Sequence, residues 1–203
     1  TDADYWHHVI EAWKVRDQIR RVADPERWPV DYADHLTLDH AAKQFGKINA
    51  ARASRLERQT PDDAPTAPAP RIGTGTTSFA VADADGNMIA VTQTLSTWGG
   101  TFYVSDGLGF LYNNHLRLGG GAPGRFLPLA RSSTTNVPTL VFKASGSSPA
   151  LGAPRLAVGA AGNNWIPASV YDIILNVIDG GMDAQRAIEA PRFLVSRDPA
   201  DPS

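Results

Sequence analysis

Cysteine is missing from all 203 residues. Its absence excludes a disulfide framework, a thiolate nucleophile and a zinc ribbon, and it leaves export neither required nor forbidden. Long apolar runs are missing too: nothing approaches the roughly 18 consecutive apolar residues that a membrane-spanning helix needs. The opening stretch Thr1-Asp2-Ala3-Asp4-Tyr5-Trp6 has neither the basic start nor the apolar segment of a signal peptide. It also lacks an initiator methionine, so the chain is expected to begin partway through a longer protein. Charge of one sign is scarce as well, since 19 Lys and Arg face 21 Asp and Glu for a net charge of -2. A nucleic-acid binder would need a concentrated basic surface, and none is expected here. Arg52, Arg55 and Arg58 come nearest to one, and they are expected to form an ordinary solvated face. What the chain does have is 42% hydrophobic residues, enough for a real core.

Three regions differ in material. Residues 1–58 are expected to be helical, with Trp6, Val9, Ile10 and Trp13 spaced for one apolar face and Glu11, Lys14 and Asp17 on the other. A second helix is predicted from about Asp39 to Leu56, through Ala42, Phe45 and Ile48, with Gly46 as its weak point. Residues 59–75, "QTPDDAPTAPAPRIGTG", carry Pro61, Pro65, Pro68 and Pro70 and are expected to be an extended tether. From residue 76 to 203 the pattern turns to strands and then helices. "TTSFAVAD" and "MIAVTQTL" flank an Asp-Gly turn, and "GLGFLYNN", "VPTLVFK" and "PRLAVGAAG" follow as strand-like runs. A helix is predicted over Pro167–Asp179 along the stripe Val170, Ile173, Ile174, Val177 and Ile178, and a short one over Asp183–Ala190, stopped by Pro191. Strands first and helices after point to α+β layers.

Several familiar motifs fail. No G-x-S-x-G elbow and no Walker loop exist. "GGGAPG" at 119–124 matches a dinucleotide-binding glycine pattern, but Pro123 and the following "RFLPL" deny it the helix start it requires. His7 and His8 are neighbours on a helix and cannot clamp one metal ion; His35, His40 and His115 are scattered. Asp83 and Asp85 flank the hairpin turn and are expected to support it.

The hairpin brings two hydroxyls together. If Ala84-Asp85-Gly86 form a three-residue loop, Asp83 pairs with Asn87 and Thr76 lies opposite Thr94; a two-residue Asp85-Gly86 turn would put Thr77 there instead. As structure this is an ordinary cross-strand pair, worth a few tenths of a kcal/mol up to about 1. Composition and spacing alone favour that reading. The other reading makes Thr76 an N-terminal nucleophile. Cutting the Gly75–Thr76 bond would give Thr76 a free α-amine with a pKa of about 7.7–8.0, a base suited to taking the proton of its own hydroxyl. Gly75 would offer no Cβ to block attack on its carbonyl.

"TTSFAVADADGNMIAVTQTL", "GLGFLYNN", "GAAGNN" and "EAPRF", in this order, resemble the gamma-glutamyltransferase (gamma-glutamyltranspeptidase) family. The likeness covers nearly all of residues 76–196, and residues 3–56 are similar to the end of that family's large subunit. The resemblance implies a four-layer αββα N-terminal-nucleophile hydrolase, truncated at both ends. It implies a precursor that cleaves itself between Gly75 and Thr76. By the same resemblance Thr76 is the nucleophile and Thr94 its hydrogen-bond partner. Gly162 and Asn163 supply the oxyanion-binding N–H groups. Thr134 and Thr135 match two serines that contact a substrate α-carboxylate.

Ser96, His115 and Leu118 stand where the family grips the α-amine of glutamate with Asn, Gln and Asp. Loss of the negative charge at Leu118 puts amine recognition in doubt and leaves acyl transfer intact. A shorter stretch between Asn114 and Thr134 implies a more open cleft, and the carboxylate-binding arginine is expected upstream of Thr1. The implied partners are a small-molecule or peptide amide and the rest of the large subunit. No cofactor is implied, and the implied location is periplasmic or extracellular. The competing expectation is a related protein that no longer catalyses and serves as a binding or structural module.

Overall fold

The computed structural model describes residues 3–20, 33–54, 74–115, 134–144 and 152–195. They fall into two compact units, one helical and one built from strands and helices.

The helical unit contains α1 (Ala3–Arg20), a 3-10 turn (Ala33–Leu36) and α2 (Leu38–Phe45). Val9 and Trp13 are buried on α1 as their spacing predicts. Glu11, expected on the polar face, is buried too. Two partners account for this: Lys14 Nζ donates to Glu11 Oε1 at 2.6 Å, and the Ser54 N–H donates to the same carboxylate. Burial pushes the Glu11 carboxyl up, but the hydrogen bonds from Lys14 and Ser54 outweigh it and hold the group below its ordinary value. Thr37 caps α2 by accepting from the His40 N–H. The predicted run from Asp39 to Leu56 is too long. The helix stops at Phe45, Gly46 forms its C-cap, and turns carry the chain on through residue 52. His7 Nε2 donates to the Asn49 carbonyl at 2.8 Å, which ties those turns to α1.

The second unit begins with an antiparallel hairpin of β1 (Thr74–Ala82) and β2 (Met88–Thr97). Its turn is the three-residue loop: the Asp83 N–H donates to the Asn87 carbonyl, and Gly86 sits at φ 87. Asp83 accepts from the N–H groups of Asp85 and Asn87 and from the Asn87 side chain. These bonds, the Asn87 side chain's first, hold the Asp83 carboxyl below its usual range. The resulting register pairs Ala82 with Met88 and Thr76 with Thr94, which rules out the two-residue turn. Thr74 and Gly75, assigned to the tether, already stand in β1; the rest of residues 59–75 lies outside the described residues.

A second hairpin pairs β3 (Thr139–Phe142) with β4 (Pro154–Val158), and β4 packs beside β1 and β2. "GLGFLYNN" makes no strand. Only a single bridge, Val104 with Leu111, forms there, because turns at 99–102 and 105–108 fold the segment back on itself. Helix α3 (Trp165–Ile178) starts two residues before Pro167, and α4 (Ala184–Glu189) is capped by Asp183, which accepts from the Arg186 N–H. Val170, Ile173 and Val177 of α3 meet Val158 and Ala187 in the core, while Ile178 is exposed. Asp172 and Asn176 are buried on the same helix. Asp172 Oδ2 accepts from the Phe193 N–H at 3.0 Å, and its Oδ1 has no hydrogen-bond partner among the described residues. Burial raises the Asp172 carboxyl to about 6, against the opposing pull of the Phe193 N–H and Arg192.

The unit is therefore α+β, with two two-stranded sheets among the described residues. On the outer face of the first hairpin Phe79, Val81 and Ile89 are about half exposed. No helix among the described residues is long and apolar enough to cross a membrane.

Candidate active site

β1 alternates its side chains, so Thr76 and Ser78 share a face, and the register sets Thr94 and Thr92 opposite them. Thr76 Oγ1 and Thr94 Oγ1 lie 2.7 Å apart, the usual distance of a hydroxyl–hydroxyl hydrogen bond. Both residues are half-buried. Thr94 Oγ1 also accepts from the Ser96 N–H at 2.8 Å. One step along the hairpin, Ser78 Oγ donates to the Val91 carbonyl at 2.9 Å and sits 3.2 Å from Thr92 Oγ1.

The open end of the hairpin is irregular. A bulge separates Thr74 from Thr76, and Gly75 lies inside it. A Cβ at Gly75 would stand 2.5 Å from the Thr97 carbonyl oxygen and 3.2 Å from Leu95 Cβ. No side chain fits there without moving β2. This close approach gives glycine a second reason to precede Thr76, one the sequence does not disclose. Across from it, Ser96 is buried at φ 73, in the left-handed region that a residue with a Cβ adopts at a cost of about 1–3 kcal/mol. Its Oγ has no hydrogen-bond partner among the described residues.

Asn114 holds this end together and was missed from the sequence. Its Oδ1 accepts from the Thr97 N–H, its Nδ2 donates to Thr97 Oγ1 at 2.6 Å, and its own N–H donates to the Leu95 carbonyl. The amide thus uses a donor and an acceptor on one residue of β2, the residue that presses on Gly75. The "YNN" run hinted at it, but a partner 17 positions away cannot be read from spacing. His115 follows directly and is half-buried, its N–H donating to Asn113 Oδ1. Leu118 lies outside the described residues.

Gly162 and Asn163 precede α3, at φ 127 and φ 53. Their carbonyls accept from the N–H groups of Trp165 and Ile166, which fixes the turn at the positive end of the helix dipole. The loop that carries them leaves β4 at Gly159. A Cβ on Gly159 would collide with Ser78 Oγ and lie 3.1 Å from Thr92 Oγ1, so the loop starts against the same hairpin face that bears Thr76 and Thr94. Thr134 and Thr135 lie ahead of β3, where Thr134 Oγ1 accepts from the Asn136 N–H. Among the described residues no hydrogen bond joins them, Gly162 or Asn163 to the threonine pair.

Chemically, the site offers one hydroxyl whose described partner is a second hydroxyl, a backbone donor behind that second hydroxyl, and a helix start on a neighbouring loop. Such a set suits attack on a carbonyl and stabilisation of the charge that develops.

Comparison with known proteins agrees in direction. Residues 1–201 match the family model described as Gamma-glutamyltranspeptidase. A glutathione hydrolase proenzyme of Pseudomonas sp. (strain A14) is 30% identical over 202 residues, covering 92% of this chain and 33% of that protein. An acylase ACY 1 proenzyme of Pseudomonas sp. (strain V22) is 36% identical over 120 residues, covering 58% of this chain and 20% of that protein. The crystal structure of a Helicobacter pylori gamma-glutamyltranspeptidase T380A mutant superposes with a TM-score of 0.51 at 30% identity, covering 60% of this chain and 68% of that one. This chain thus spans about a third of the length of the curated glutathione hydrolase proenzyme. With a family model matched along nearly its whole length, the chain belongs to the gamma-glutamyltranspeptidase family.

Proposed function

We propose that the chain carries the nucleophile of a self-processing amidohydrolase or acyltransferase that cleaves γ-glutamyl or related amide bonds through an acyl-enzyme. The observation that carries this reading is the 2.7 Å contact of Thr76 with Thr94, directly after a glycine that no other residue can replace without displacing β2. In self-cleavage Thr76 Oγ1 attacks the Gly75 carbonyl and the Gly75–Thr76 amide breaks. The hydroxyl proton ends on the departing nitrogen, which becomes the α-amine of Thr76. Water then hydrolyses the ester left on Oγ1. In turnover that amine takes the Thr76 proton as Oγ1 attacks the substrate amide, and it returns a proton to the leaving amine. The Gly162 and Asn163 N–H groups, at the start of α3, hold the oxyanion. A second nucleophile, water or an amine, releases the acyl group.

Ser96, His115 and Leu118 bias the donor away from a free α-ammonium, and the likeness to an acylase proenzyme supports amides beyond γ-glutamyl ones. Thr134 and Thr135 are assigned to the acyl carboxylate. The exposed apolar face of Phe79, Val81 and Ile89 supports a large partner, the remainder of the precursor, over the hairpin. In this reading residues 1–58 close the large subunit, the chain between them and β1 is the tether, the cut falls inside β1 after Gly75, and residues 76–203 belong to the small subunit of a four-layer αββα enzyme acting in the periplasm or outside the cell.

Intact mass of the purified full-length protein tests the reading. Two fragments are expected, the second beginning "TTSFAV". A single uncut chain in folded, Thr76-intact protein would leave Thr76 without its amine, and a non-catalytic binding module would take the place of the enzyme.

A further inference from the structure

We propose that the backbone N–H of Ser96 is the positioning group of the threonine pair: it sets the direction of the hydroxyl chain, so that Thr94 donates to Thr76 and the Thr76 proton stays available for transfer. The inference rests on the reading of Thr76 as nucleophile and adds to it a residue acting through another. A threonine hydroxyl has one proton to give and two sites at which to accept. Thr94 Oγ1 has two hydrogen-bond partners among the described residues, the Ser96 N–H at 2.8 Å and Thr76 Oγ1 at 2.7 Å. An N–H can only donate, so it fills one accepting site of Thr94 and leaves the Thr94 proton unspent.

Two arrangements of the pair remain. If Thr76 donated, Thr94 would accept twice and its own proton would have no described acceptor. If Thr94 donates, the Thr76 proton is the one with no described acceptor, so the count is equal; what differs is that N–H to O–H to Oγ then runs as one chain in which each bond polarises the next. Thr76 Oγ1 then accepts a hydrogen bond while it forms the bond to the carbonyl carbon, and its own proton points away toward nitrogen. When water or an amine attacks the acyl-enzyme, the α-amine takes a proton from that second nucleophile, the carbon–Oγ1 bond opens, and the α-ammonium gives the proton to Oγ1. The Thr94 hydroxyl steadies the charge on Oγ1 in between.

The backbone geometry supports the assignment. Ser96 is one of three non-glycine residues with positive φ among the described residues, it is buried, and it lies two positions beyond Thr94 on the same strand. The Asp83–Asn87 pair makes the odd-numbered residues of β2 the ones bonded to β1, so an extended Ser96 would point its N–H away from the ladder. That N–H donates to the side chain of Thr94, and the left-handed φ of Ser96 turns the chain immediately after this bond. Asn114 fixes both flanking residues, through the Leu95 carbonyl and through Thr97, so the turn is held from outside the hairpin.

The test is the rate of Gly75–Thr76 cleavage in the full-length precursor, followed by intact mass, for single and double variants. Ser96→Gly keeps the N–H and accepts φ 73, so its loss of cleavage rate is expected to be several-fold smaller than that of Ser96→Val. Ser96→Val opposes positive φ and should slow cleavage by about tenfold, the worth of one misdirected hydrogen bond. In a Thr94→Val background the Ser96→Val change should add no more than about twofold, since the group it positions is gone. Equal losses in both backgrounds, or a Ser96→Gly loss as large as that of Ser96→Val, would overturn the inference. If Ser96→Val does not fold, replacement of Ser96 by the corresponding 2-hydroxy acid removes the N–H alone. That variant should lose about tenfold with Thr94 present and nothing without it, and an unchanged rate with Thr94 present overturns the proposal. Thr76→Ala, run alongside, separates the two levels. If it cleaves like the parent, the nucleophile assignment itself has failed; if it stays uncut while the Ser96 variants show no coupling, only the positioning role has.

Discussion

Two hydroxyl pairs sit side by side on one face of the hairpin, and they are tied differently. In the pair Ser78–Thr92, the serine proton is committed to the Val91 carbonyl at 2.9 Å, and the two hydroxyl oxygens are 3.2 Å apart. In the pair Thr76–Thr94, no backbone carbonyl claims either proton among the described residues, the oxygens are 2.7 Å apart, and a backbone N–H supports the far partner. Both pairs satisfy the cross-strand rule for hydroxyl residues, yet only the first commits a hydroxyl proton to a carbonyl among the described residues. The difference comes from position. Ser78 and Thr92 lie within the regular ladder, whereas Thr76 and Thr94 lie where a bulge at Gly75 and a left-handed residue at Ser96 interrupt it.

The most direct way to break the comparison is to remove one hydroxyl from each pair. Thr76→Ala should abolish self-cleavage and acyl transfer, a loss of at least about 10³-fold for a deleted nucleophile. Ser78→Ala should cleave within a few fold of the parent, measured by intact mass over the same time course. Comparable losses at the two positions would make both hydroxyls structural. The partners give the next largest contrast. Thr94→Val should slow cleavage by about 10- to 150-fold, as expected for a hydrogen bond of 1.5–3 kcal/mol to a group that gains charge. Thr92→Val should have a small effect, because Ser78 keeps its bond to Val91.

How far such contrasts were legible in the sequence follows the same line between regular and irregular structure. The turn "DADGN" sets its own geometry through Asp83 and Gly86, so counting back along the strands narrowed the partner of Thr94 to Thr76 or Thr77, and the three-residue loop selects Thr76. Helix α3 was likewise readable from its apolar stripe, although Pro167 marks its third residue and not its first. Features made by chain segments far apart were not readable. Glu11 is buried because Ser54 reaches it from 43 positions away. Gly75 is confined by Thr97, Ser96 takes φ 73, and Asn114 clamps Thr97, all through loop closure that no local pattern records. The roles given to Gly162, Asn163, Thr134 and Thr135 came from family likeness alone. The structure adds for Gly162 and Asn163 a place at the start of α3 and on a loop that leaves from beside Ser78.

Gly75→Ala sharpens the comparison at its boundary. The added methyl must displace the Thr97 carbonyl or flatten the bulge, and overpacking of this kind costs about 1–3 kcal/mol. The expected result is slower cleavage, about tenfold, with the chain still folded. Asn114→Ala should act in the same direction, since it frees Thr97 to move away from Gly75. Circular dichroism would show the fold retained while intact mass reports the slower cut. If Gly75→Ala cleaved at the parental rate, the bulge would have no part in presenting the bond.

The smallest effect on chemistry is expected at Asp172, which contacts neither pair and so separates stability from reactivity. Its carboxyl is raised from the ordinary 3.8 to about 6 because burial disfavours the charged form. A raised acid is protonated more readily in the folded state. The stability it contributes is therefore fully present below pH 3.8, falls as pH rises through the window from 3.8 to about 6, and is absent above it. At neutral pH the fold carries the cost of an ionised buried group, about 3 kcal/mol at most. Asp172→Asn keeps an oxygen to accept the Phe193 N–H and removes the charge. Its gain in thermal midpoint over the parent should be larger at pH 8 than at pH 4.5, with cleavage at Thr76 unchanged at either pH. A gain independent of pH would show that Asp172 does not titrate in this window. A change in cleavage rate would show that the core beneath α3 reaches the threonine pair, and the contrast between the two hydroxyl pairs would then have a source outside the hairpin.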